Sequence, residues 1–142
     1  MTDTVIVGID CSTNPGKLGL ARGLYEDERT VVYESRVGVT DPVDLIASWI
    51  ECEASCLLAI DAPLGWPQPM GQLLARHEAG LSVEEDANMF FRRYTDRFIK
   101  DVTKKQPLDV GSNLIARTAH FALNLLQSVR ERTGKPIPMA WH

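Results

Sequence analysis

Apolar residues first gather in an unbroken run, Thr4-Val5-Ile6-Val7-Gly8-Ile9, closed by Asp10. A β-branched run of this length predicts a central strand buried on both faces. Turn formers, Ser12-Thr13-Asn14-Pro15-Gly16, separate it from Lys17-Leu18-Gly19-Leu20-Ala21, which predicts a second strand. The acidic cluster Glu26-Asp27-Glu28 then precedes Thr30 to Val37, a third. Connections this short imply an antiparallel meander.

The period then changes. Asp41-Pro42 is a helix start, with Asp41 as N-cap and Pro42 in the first turn, and Val43, Leu45, Ile46, Trp49 and Ile50 follow at helical spacing. Cys56-Leu57-Leu58-Ala59-Ile60-Asp61 is a second short apolar run ending in aspartate. Meander, helix and strand in that order form an α/β sheet, because a parallel neighbour is reached only through a crossover. The stiff loop Ala62 to Pro69 carries three prolines and a glycine. Two helical regions are expected after it, one from near Pro69 to Gly80 and one opened by the capping box Ser82-Val83-Glu84-Glu85 and running toward Phe98 or Ile99. After a turn around Gln106-Pro107 and Gly111, the longest helical pattern runs from Ser112 to about Thr133. Leu114, Ile115, Ala119, Ala122, Leu125, Leu126 and Val129 form its apolar stripe, and Gly134 stops it.

With 142 residues, 44% of them apolar, the chain is long enough for one domain to bury a core without disulfide or metal staples. No internal repeat or linker divides it. No run of about 18 apolar residues is present, and Met1-Thr2-Asp3-Thr4 lacks a basic region leading into an apolar stretch, which argues against a membrane span or a secretory signal. Three cysteines, Cys11, Cys52 and Cys56, are an odd number without a repeating spacing, so a reducing, cytoplasmic setting is expected and a zinc site is not. The net charge of −4 hides an asymmetry: residues 1–91 carry −10 and residues 92–142 carry +6. A basic half attracts phosphate-bearing molecules, while the plainer reading is a solvated charged surface.

The shared ending of the two apolar runs carries the chemistry. Strands joined by a crossover helix are parallel, and as neighbours about 4.8 Å apart they set Asp10 and Asp61 side by side at their carboxyl ends. Open α/β sheets bind ligands at that edge. Two adjacent carboxylates repel unless protonated or bridged by a cation, and Mg²⁺ is typically held by one or two carboxylates plus waters and substrate phosphate. The alternative is that one aspartate ties down a loop and the other is a solvated strand end.

Val7-Gly8-Ile9-Asp10, Ile60-Asp61-Ala62-Pro63-Leu64-Gly65, Arg92-Arg93-Tyr94-Thr95-Asp96 and Val110-Gly111-Ser112, in this order, resemble the DUF429 family of predicted nucleases with a ribonuclease H-like fold. The resemblance implies a mixed sheet in order 3-2-1-4 with strand 2 antiparallel, and acidic metal ligands on strands 1 and 4, where Asp10 and Asp61 stand. It also implies a catalytic role for Asp96, with Arg92, Arg93 and Ser112 on the substrate, against the plainer reading of an amphipathic helix whose charges face water. Such proteins continue into another strand after the long helix, and the tail Pro136-Ile137-Pro138-Met139-Ala140-Trp141-His142 does not read as one. Sites of that type take a third carboxylate from the helix after strand 3, where Asp44, Glu51 and Glu53 are available, although no motif selects among them and the plainer reading of each is a solvated face.

Trp66, in the proline-rich loop, is a candidate to cover the site or stack a base, against plain packing. Met89-Phe90-Phe91 reads as core, and His77 and His120 as packing or capping residues. The resulting expectation is metal-dependent phosphodiester hydrolysis, with two Mg²⁺ or Mn²⁺ ions about 3.5–4 Å apart bridging Asp10 and Asp61 over a nucleic acid or small phosphoester. An actin-like phosphotransfer enzyme, gripping nucleotide phosphates through Gly8 to Thr13 and Gly16-Lys17, is opposed by length, since such enzymes use two copies of the fold. A non-catalytic binding or assembly module is the third reading. A homodimer is also expected, because an open four-stranded sheet leaves unpaired edges and the apolar tail has no partner element evident in the sequence.

Overall fold

A computed structural model describes residues 4–140. Strand β1 (Thr4–Asp10) is followed by β2 (Gly19–Glu26), β3 (Arg29–Val37), helix α1 (Pro42–Glu51) and strand β4 (Cys56–Asp61). Helices α2 (Gln68–Leu74), α3 (Ala87–Phe91), α4 (Tyr94–Thr103) and α5 (Asn113–Thr133) follow, and a 3-10 turn, Pro15–Lys17, lies between β1 and β2. The chain divides into two compact units, Met1–Ala62 with His120–His142, and Pro63–Ala119.

The first unit holds one mixed sheet in the order β3-β2-β1-β4, as the sequence reading expected. β1 and β2 are antiparallel, as are β2 and β3, whereas β4 runs parallel to β1. Asp27 and Glu28 both adopt positive φ between the paired Glu26 and Arg29, which makes a two-residue connection with the twist that suits a hairpin. Helix α1 starts where Asp41 accepts the amide of Asp44 at 3.0 Å, with Pro42 in the first turn. Val5, Val7 and Ile9 of β1 point to one face, where they pack with Leu18, Leu20, Ile46, Trp49 and Ile50 and with Leu125 and Val129 of α5.

Burial on both faces of β1 is not what forms. Buried positions alternate with partly exposed Ile6 and Gly8, because described elements of this unit cover the sheet on one face only. An apolar run shows that a strand is central without showing that both of its faces are covered. The tail also departs from expectation. Ile137 packs against this core, Arg130 donates to the Ile137 carbonyl at 2.8 Å, and Lys135 Nζ donates to the carbonyls of Ile50 and Glu51 at the end of α1. A lysine at a helix C-terminus satisfies carbonyls that have no intrahelical donor. The tail thus finds its partners within its own unit, while Trp141 lies outside the described residues.

In the second unit Met70, Phe90 and Val110 form a small core, and the rings of Phe90 and Phe91 meet edge to face at 4.8 Å. Residues 82–86 are not helical. The helix starts instead at Asp86, whose carboxylate accepts the amide of Asn88 at 2.9 Å. The single helix expected toward Ile99 breaks at Arg92 and Arg93, both extended, because the Phe91 carbonyl accepts from Val110 and the Arg93 amide donates to Asp96. Leu114, expected in the apolar stripe of α5, is 73% exposed, whereas Ala119, Ala122, Leu125, Leu126 and Val129 are buried.

Candidate metal centre at the end of the sheet

The register between β1 and β4 pairs Gly8 with Ala59 and Asp10 with Asp61. Residues paired across strands project to the same face, so both carboxylates stand on the uncovered side of the sheet, one strand spacing apart. On the other flank β2 sets Ala21 opposite Gly8 and Gly19 opposite Asp10. The Asp10 side chain leans over Gly19: a Cβ there would lie 3.2 Å from Asp10 Cβ and 3.6 Å from its Oδ2. Gly8, Gly19, Ala21 and Ala59 form the floor of a concavity of about 670 Å³, with Asp10 and Asp61 among its lining residues.

Among the described residues neither carboxylate takes a hydrogen bond or an ion pair, and both residues are exposed. Cys11 reports their joint field: its thiol is pushed up from 9.0 to about 11, first by burial, then by the negative charge of Asp10, then by that of Asp61. The two aspartates offer hard carboxylate oxygens with space for water, a donor set that suits Mg²⁺ or Mn²⁺. No group of three or more His, Cys, Asp or Glu residues suited to a metal ion occurs among the described residues.

The proposed third carboxylates are engaged elsewhere. Asp44 and Glu51 both pair with Arg132, at 2.7 and 3.2 Å, which joins α1 to α5. Glu53 pairs with Arg22 at 2.5 Å. Each of the three thus has a cationic partner away from the Asp10–Asp61 pair.

Other candidate residues sit in the second unit. Asp96 is 4% exposed, and its carboxylate accepts from the Arg93 amide at 2.9 Å, from Arg93 Nε at 2.8 Å and from Arg93 Nη2 at 2.6 Å. It caps α4 and anchors Arg93, so the resemblance motif Arg92 to Asp96 has a structural task of its own. Arg92 bonds Asp109 at 2.9 Å and also the Asn88 side chain. Ser112 directly precedes α5, and its hydroxyl is buried without a hydrogen-bond partner among the described residues. Trp66 is 43% exposed in the loop before α2.

Sequence reading passed over Gly19 and Ala21, which open the floor beside Asp10. Their signal was available: a strand carrying glycine and alanine where β-branched residues are favoured marks a close approach of some other group. Comparison with protein-family models gives no match, and comparisons with curated proteins and with solved structures give none either.

Proposed function

We propose that this chain is a metal-dependent phosphodiesterase of ribonuclease H-like type, with nucleic acid as the first substrate class to try. One observation carries the reading: Asp10 and Asp61 are paired across two parallel strands with no cationic partner among the described residues. A like-charged pair of this kind is unfavourable until a cation joins it. The carboxylates would hold one Mg²⁺ or Mn²⁺, which supplies Lewis-acid stabilisation of a phosphoryl oxygen and acidifies bound water. Gly8, Gly19, Ala21 and Ala59 leave the adjoining floor free of side-chain bulk, so that a substrate can lie along the sheet. Cys11 beside the pair stays protonated below pH 9, since its folded-state value is about 11, and adds no charge there. Asp96 and Arg93 contribute a fixed local geometry in their own unit.

A second reading rests on the absence of a third ligand group among the described residues: a module that binds a cation or phosphate without turnover. Hydrolysis assays separate the two. Single-stranded, duplex and branched nucleic acids and a small chromogenic phosphodiester are incubated with Mg²⁺, Mn²⁺ or chelator. The expected result is cleavage that needs the cation and is lost in Asp61→Asn. Cation binding without any cleavage would leave the binding module, and cleavage retained in Asp61→Asn would reject this site.

A further inference from the structure

Strand β3 is the least protected element of the sheet. It lies at one end of the strand order, eight of its nine residues are exposed, and Val31, Val32, Tyr33 and Val37 are each more than half exposed. Among the described residues, no hydrogen bond reaches its backbone from the side away from β2. Such an edge is a template for another strand. Part of it is irregular: the register with β2 shifts between Arg22 and Gly23, leaving Tyr33 as an extra residue. Beyond the shift, Glu34 to Val37 pair regularly with Arg22 to Gly19.

We propose that this regular stretch pairs antiparallel with the same stretch of a second copy, about a two-fold axis at Ser35. The argument is charge complementarity. Glu34 and Arg36 project to one face of the strand, where Arg36 Nη2 lies 3.0 Å from Glu34 Oε1. With Ser35 facing Ser35 on the axis, each Glu34 stands opposite an Arg36 of the other copy, giving two opposite-charge cross-strand pairs on one face. Moving the axis to Glu34 sets two carboxylates against each other, and moving it to Arg36 does the same with two guanidinium groups. A two-fold axis normal to the sheet keeps the faces of both copies in common and joins two four-stranded sheets into one of eight. Ser35, Arg36 and Val37 also line the concavity beside Asp10 and Asp61, but neither aspartate belongs to the paired stretch, and the proposal rests on the strand edge and not on the proposed catalysis.

Sedimentation of the full chain tests it, with circular dichroism to show that each variant is folded. Wild type is expected to dimerise. Glu34→Arg places arginine against arginine, Arg36→Glu places glutamate against glutamate, and each variant alone is expected to be monomeric. Mixed in equal amounts, the two variants restore both opposite-charge pairs, and a heterodimer is expected. Three results would each overturn the proposal: a monomeric wild type at the highest attainable concentration, dimers retained by either single variant, or a mixture that stays monomeric.

Discussion

Asp61 and Asp96 both lie in the motifs that carry the family resemblance, yet their surroundings differ in kind. Asp96 is buried and receives three hydrogen bonds from Arg93. Asp61 is exposed, stands opposite a second carboxylate and has no such partner among the described residues. In the second unit every unit of charge in the motif is answered locally: Arg93 by Asp96, Arg92 by Asp109. Among the described residues of the first unit, charge at the sheet end is left unanswered. Satisfied buried polar groups hold a fold, whereas a solvated like-charged pair at a strand terminus is free to take the proposed cation.

The sharpest way to break that contrast is to remove each aspartate in turn. Asp96→Ala leaves the Arg93 guanidinium without its partner and α4 without its N-terminal acceptor. Breaking a buried pair costs about 3 kcal/mol at the low end of the known range, which applies here because Arg93 is partly solvated. A lowered urea midpoint with an unchanged slope is expected. Asp10→Asn and Asp61→Asn, measured in chelator, are expected to leave the midpoint unchanged or raise it, because each relieves repulsion. A larger loss from Asp61→Asn than from Asp96→Ala would reverse the assignment of structural and functional roles.

A pH measurement sharpens the same contrast. The unfolded Cys11 thiol titrates near 9.0 and the folded one at about 11, so the folded state loses stability as pH rises from 9 toward 11. Cys11 is only about half buried, so after discounting for solvent screening the loss is roughly 1 kcal/mol. Alkylation followed by mass spectrometry is expected to show slow reaction of Cys11 at pH 9. The rate should rise in Asp10→Asn, and by a smaller factor in Asp61→Asn, in the order of their influence on the thiol. Equal rates in all three proteins would mean that the carboxylates do not converge on it.

Much of this contrast was legible in the sequence, and the reasons are local. The apolar runs ending in Asp10 and Asp61 set strand type and polarity, and Asp41-Pro42 set the crossover, so the pairing of the two aspartates follows from short-range pattern alone. The second unit was harder to read. Ser82-Val83-Glu84-Glu85 has the spacing of a capping box, but Asp86 caps the helix that forms, and the break at Arg92–Arg93 depends on Val110, which lies 19 residues beyond Phe91 in the chain. The role of Asp96 as a cap was hidden because an Arg-Asp pair three residues apart looks the same whether its charges face each other or a substrate. Gly19 shows the opposite case, a residue visible in the pattern whose meaning appears only when β2 lies beside β1.

Gly19 also supplies the subtlest perturbation. Gly19→Ala puts a methyl group 3.2 Å from Asp10 Cβ, so the Asp10 side chain must give way by a few tenths of an ångström. Fold stability is expected to hold, since alanine loses less entropy in a strand than glycine, by about 0.5–1 kcal/mol. Cation affinity is expected to weaken several-fold. Unchanged affinity would mean that the position of the Asp10 carboxylate against Asp61 does not matter to binding.

The central claim is that Asp10 and Asp61 together hold a divalent cation, and isothermal titration of Mn²⁺ into metal-free protein tests it most directly. Wild type is expected to bind one ion per chain, and Asp10→Asn and Asp61→Asn each to lose most of that affinity, while Asp44→Asn, whose carboxylate pairs with Arg132, binds as wild type does. A single-site isotherm that survives in both Asp10→Asn and Asp61→Asn, or no binding by wild type, would contradict the account.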